Sequence, residues 1–83
     1  MITEKIRSLI EDEIQKKGYT LHEVLYEKES GNNFLRIVID KEGIVDLEDC
    51  ITVTNIINPI IDEADPIEEN YIMDVCSREK GCE

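Results

Sequence analysis

The sequence predicts an α+β domain, a two-layer sandwich of order helix, strand, strand, helix, strand. Both helices are expected on one face of a three-stranded sheet. Three observations carry that expectation. Two segments repeat their apolar residues at helical spacing, and two, at 34–40 and 70–76, alternate at strand spacing. All four glycines (18, 31, 43 and 81) fall where those segments break. The 83 residues fit one domain. A chain of that size buries only about 60% of the surface it exposes when unfolded, so a large enzyme fold with a deep cleft is not expected.

Residues 4–17 read as the first helix. Ile2, Ile6, Leu9, Ile10 and Ile14 form one stripe. Thr3 is the expected N-cap, and Gly18 suits the left-handed position past the C-terminal end. Residues 20–28 and 34–40 read as a hairpin turned at Ser30-Gly31-Asn32-Asn33, since Gly and Asn accept positive φ. In its second strand Leu35, Ile37 and Ile39 share one face, and Phe34, Arg36, Val38 and Asp40 the other. The second face is mixed, which hints at partial cover by a partner. After a loop at 41–45, Asp46 is placed to cap a second helix, with Asp49 in the capping-box position. Leu47, Cys50, Ile51, Thr54, Ile57 and Ile61 form its stripe, widened by Val53, Ile56 and Ile60. Pro59 interrupts the pattern, and a kink or break is expected near Asn58. Residues 62–66 end the helix. Residues 70–76 read as the third strand, with Tyr71, Met73 and Val75 alternating against Ile72, Asp74 and Cys76.

Twenty acidic residues against nine basic ones give a net charge of −11. The charge is concentrated. Residues 42–76 hold ten acids and no Lys or Arg, whereas residues 1–17 are balanced at four against four. Such a bias is expected to repel phosphate backbones and to suit a basic protein partner. Ile, Leu, Val and Phe still make up about 30% of the chain, enough apolar matter for a folded core. No stretch approaches the roughly 18 apolar residues that span a bilayer, and residues 1–5 do not open a signal peptide. The three cysteines, Cys50, Cys76 and Cys82, contain no Cys-x-x-Cys pair. Free thiols in a reducing cytoplasm are expected, with Cys82 exposed.

The residues offer little catalytic chemistry. His22 is the one histidine. There is no Gly-x-Gly-x-x-Gly, no phosphate loop, no nucleophile elbow and no zinc spacing. Asp40, Glu42, Asp46, Glu48 and Asp49 cluster within ten residues but do not follow the EF-hand spacing. They are the candidate docking residues, with helix capping as the plainer account of Asp46 and Asp49. No cofactor, metal or catalytic residue is expected.

The ordered motifs resemble a known family. Leu35-Arg36-Ile37-Val38-Ile39-Asp40-Lys41 is followed by Gly43, then Asp46-Leu47-Glu48-Asp49-Cys50, then Asp65-Pro66-Ile67, then Tyr71-Ile72-Met73-Asp74-Val75-Cys76-Ser77. This series is similar to the N-terminal domain of the RimP (YhbC) type of bacterial ribosome maturation factor. The resemblance covers the element order of the whole chain. It implies a non-enzymatic domain that binds the immature small ribosomal subunit through a basic ribosomal protein, with indirect rRNA association, and assists late assembly and rRNA processing in the cytoplasm. It also implies one N-terminal domain over residues 1–83, without the family's C-terminal β-barrel. The chain reads Ser77-Arg78-Glu79-Lys80-Gly81-Cys82-Glu83 where the family continues with Ser-Pro-Gly. Two other classes compete. A stand-alone RNA-binding domain of related topology would need Arg36, Lys41, Arg78 and Lys80 in one groove. A thiol- or metal-dependent small enzyme would need a special thiol or an ion site.

Overall fold

The structure, a computed structural model, describes residues 2–79. The element order is α1 (Ile2–Gln15), β1 (Thr20–Glu29), β2 (Asn32–Asp40), α2 (Leu47–Ala64) and β3 (Ile72–Ser77). The sheet order is β1-β2-β3, with β1 antiparallel and β3 parallel to the central β2. Both helices pack on the sheet and touch each other. This is the expected α+β sandwich.

Helix α1 buries Ile6, Ile10 and Ile14, with Ile2 and Leu9 packed beside them. It starts two residues earlier than expected, so Thr3 lies within it. Its end is a Schellman arrangement. Tyr19 N–H donates to the Ile14 carbonyl and Gly18 N–H to that of Gln15. Gly18 takes φ +90, the left-handed conformation foreseen for it. Tyr19 and Ile14 are both buried, which supplies the apolar contact that accompanies this motif.

The hairpin turns on Ser30 (φ 51) and Gly31 (φ 81) alone, and Asn32 and Asn33 already belong to β2. Two consecutive residues at positive φ match the twist of the flanking strands, so the loop shortens to two residues. A bulge between Leu21 and Glu23 leaves His22 exposed and unpaired in the ladder. On β2, Leu35, Ile37 and Ile39 are fully buried beneath the helices, as their alternation predicts. The other face is closed only around the middle of β2, since Ile72 on that face is 49% exposed. Arg36 and Val38 are each 8% exposed, so there the central strand is buried on both sides.

Of the kink or break expected near Asn58, the break does not occur. Helix α2 runs unbroken through Pro59. Pro59 and Asn55 both face solvent, so water can satisfy the Asn55 carbonyl that the proline leaves unpaired. On the opposite side Val53, Ile57 and Ile61 are buried, and that packing holds the helix across the proline. The expected stripe is also corrected at its start, because Leu47 and Ile51 are exposed, whereas Val53, Ile56 and Ile60 join the core. Asp65 at φ 45 closes the helix with its N–H on the Ile61 carbonyl. The core joins the apolar faces of both helices, the sheet, Val45 and Ile67. Cys76 is disulfide-bonded, which corrects the free-thiol expectation at that residue. Cys82 and Gly81 lie outside the described residues.

Candidate functional site

Strand β2 ends at Asp40 and feeds a loop that returns as α2. All five candidate residues lie on this passage. Asp46 sits in extended backbone (φ −106, ψ −176), and its Oδ1 accepts from the Asp49 N–H at 2.9 Å. Asp49 Oδ2 in turn accepts from the Asp46 N–H at 3.0 Å. This is the reciprocal capping box the spacing foresaw, built from two aspartates. Val45 and Cys50 occupy the hydrophobic-staple positions on either side, Val45 buried and Cys50 packed against the core.

Two residues outside the five candidates complete the arrangement: Tyr19, which sequence reasoning missed, and Lys41, which it weighed only for RNA binding. The Tyr19 hydroxyl donates to Asp49 Oδ1 at 2.7 Å, and Lys41 Nζ pairs with Asp49 Oδ2 at 2.7 Å. The carboxyl of Asp49 is held far below its usual range. The Lys41 ammonium is the chief cause, followed by the Asp46 N–H and the Tyr19 hydroxyl. The same contacts push the Tyr19 hydroxyl and the Lys41 ammonium up, each chiefly through its bond to Asp49. The only hint of Tyr19 in the sequence is its place just after Gly18, where a helix end favours an apolar side chain.

The five acids therefore divide. Asp49 is consumed by three donors, and Asp46 caps the helix. Asp40 accepts from the Lys41 N–H at 2.9 Å and meets Arg78 at 3.6 Å. Glu42 and Glu48 are exposed and have no ion pair among the described residues. These two carry the outward charge of the loop and first turn.

The basic residues are largely occupied. Arg36 lies on the sheet face away from the helices, bound to Glu27 at 2.8 Å and Glu29 at 2.6 Å. Its guanidinium stacks 4.8 Å from the Phe34 ring. Those glutamates push the Arg36 guanidinium up, and it draws the Glu29 carboxyl down. Lys41 is committed to Asp49 and Arg78 faces Asp40, while Lys80 lies outside the described residues. Arg36, Lys41 and Arg78 thus each have a carboxylate partner.

At the far end of α2, an open depression of about 640 Å³ is lined by Asp62, Asp65, Glu68, Glu69 and Tyr71, among others. It extends the acidic field along the helix. Among the described residues, no group of three or more His, Cys, Asp or Glu is arranged to hold a metal ion. No helix among them is long and apolar enough to cross a membrane.

These features define the class: a small acidic domain of helix-strand-strand-helix-strand order, with a rigidly capped second helix beside an acidic loop. Its sequence matches the family model of the RimP N-terminal domain over residues 9–78, and the chain belongs to that family. The family is one of ribosome maturation factors and is not a known enzyme family.

Proposed function

We propose that this chain acts in the cytoplasm by docking on the immature small ribosomal subunit through a basic ribosomal protein. Through that contact it assists late assembly and rRNA processing, and its association with rRNA is indirect. Membership of the RimP N-terminal family carries this reading. The segment 42–76, with ten acids and no Lys or Arg, supports it, because complementary charge speeds encounter and orients a basic partner. Within the docking surface Glu42 and Glu48 make the outward contacts, and Asp40, Asp46 and Asp49 hold the loop and helix start that present them.

The test is co-sedimentation of the chain with immature small subunits, and its binding to purified subunit proteins, across a salt series. Binding at low salt that weakens as salt rises is expected. A folded chain that binds neither the particle nor its basic proteins at low salt would overturn the proposal.

A further inference from the structure

The start of α2 carries apolar surface that the core does not use. Ile44 is 70% exposed, Leu47 75% and Ile51 51%. Among the described residues only one other large apolar side chain, Ile72, is exposed, so three of the four fall within eight positions of sequence. Leu47 and Ile51, four residues apart, stand on one face of the helix, and Ile44 lies two residues before the N-cap. Scattered exposed apolar side chains are ordinary, whereas a cluster rimmed by charge marks an interaction surface.

The surroundings narrow the occupant. The capping box and the Tyr19 and Lys41 contacts fix the helix start, so the three side chains are presented on a rigid base. Glu42 and Glu48 flank them, and Lys41 is spent on Asp49. An RNA backbone offers no apolar group to the centre and is repelled by the rim. A second copy of the chain brings its own −11 and is repelled likewise.

We infer that Ile44, Leu47 and Ile51 form the apolar centre of a docking surface whose rim is Glu42 and Glu48. The occupant is a segment of a basic protein that presents an aliphatic or aromatic side chain flanked by Lys or Arg. This deepens the proposed function and rests on its protein-docking reading. The division of labour follows general interface anatomy: the desolvated apolar centre holds the complex, and the charged rim sets encounter rate and salt dependence.

The experiment compares the wild-type chain with the double variant Leu47→Gln and Ile51→Gln, the loop variant Ile44→Gln and the rim variant Glu42→Gln and Glu48→Gln. Each is titrated against purified small-subunit proteins at low and high salt, with the unfolding midpoint as a folding control. Gln keeps helix propensity, and the loop variant leaves the helix untouched. The double variant is expected to bind at least about tenfold more weakly at both salts with an unchanged salt slope. The rim variant is expected to associate more slowly with a flatter slope. If the double and loop variants bind like wild type, the apolar centre is overturned while the docking reading stands. If wild type binds none of these proteins, or binds only rRNA or itself, both are overturned.

Discussion

The carboxylate of Asp49 gathers donors from three parts of the chain: Tyr19 in the turn between α1 and β1, the residue after β2, and the N-cap of α2. Replacing it with Asn removes the ion pair and weakens the cap. The unfolding midpoint of D49N is expected to fall by about 5 °C or more near neutral pH. The pH dependence has a definite sign. The folded-state carboxyl is held below its unfolded value, so its contribution is fully present above about pH 5 and is lost as pH falls through the carboxylate range. Wild type should therefore lose a growing part of its advantage over D49N as pH falls from about 5 to 2, in urea titrations at stepped pH. An advantage that stays constant down to pH 2 would show that Asp49 is not the group responsible. The aspartate pair of the capping box was legible in the sequence because its signal is local, three residues apart. Tyr19 was not, because its partner is 30 positions away and only the packing of α1 against the start of α2 brings them together.

At the scale of elements, the legible parts are those where one periodicity rules. Alternation placed Leu35, Ile37 and Ile39 on the core face, and helical spacing placed Ile6, Ile10 and Ile14 inward. Helix α2 is harder because its apolar residues spread over more than one face. The helix is amphipathic around Val53, Ile57 and Ile61 and apolar again on its exposed face at Leu47 and Ile51, so a single stripe drawn through all of them is too broad. At Pro59 local chemistry favours a kink or break, and tertiary packing on either side of the proline keeps the helix continuous. That cost remains in the folded state. Pro59→Ala restores a backbone hydrogen bond to the Asn55 carbonyl and is expected to raise stability by about 2 kcal/mol, the helix gain less the entropy returned to the unfolded chain. Urea unfolding measures this, and a midpoint at or below wild type would refute it. Truncating the inward face acts in the other direction. Ile57→Ala, at a fully buried position, is expected to cost about 3 kcal/mol in the same assay.

For the whole molecule, the governing quantity is the uneven distribution of −11 charges. Self-repulsion within 42–76 opposes compaction, and added salt screens it. The thermal midpoint should rise between about 0.02 and 0.5 M sodium chloride, even though the ion pairs are weakened by the same screening. A midpoint that falls with salt would show that the pairs outweigh the repulsion. Position matters as well as total. Neutralising Glu42 or Glu48 should slow association with a basic partner and flatten its salt dependence. The same change at Glu11 or Glu13, which already pair with Arg7 and Lys16, should do less. Association rates measured across ionic strength separate the two pairs of sites.

The parallel pairing of β2 with β3 has a practical consequence for anyone attaching something to this protein. Because the two strands run the same way, they finish side by side: Ser77 is opposite Ile39, and Arg78 N–H reaches the Ile39 carbonyl at 2.9 Å. Polypeptide, dye or resin joined beyond Arg78 therefore starts out next to the acidic loop and would shade it. Helix α1 is 14 residues long, so Ile2 sits about 20 Å from the helix end that leads to Tyr19. An affinity handle placed before Ile2 leaves the loop open, and one placed after Arg78 crowds it.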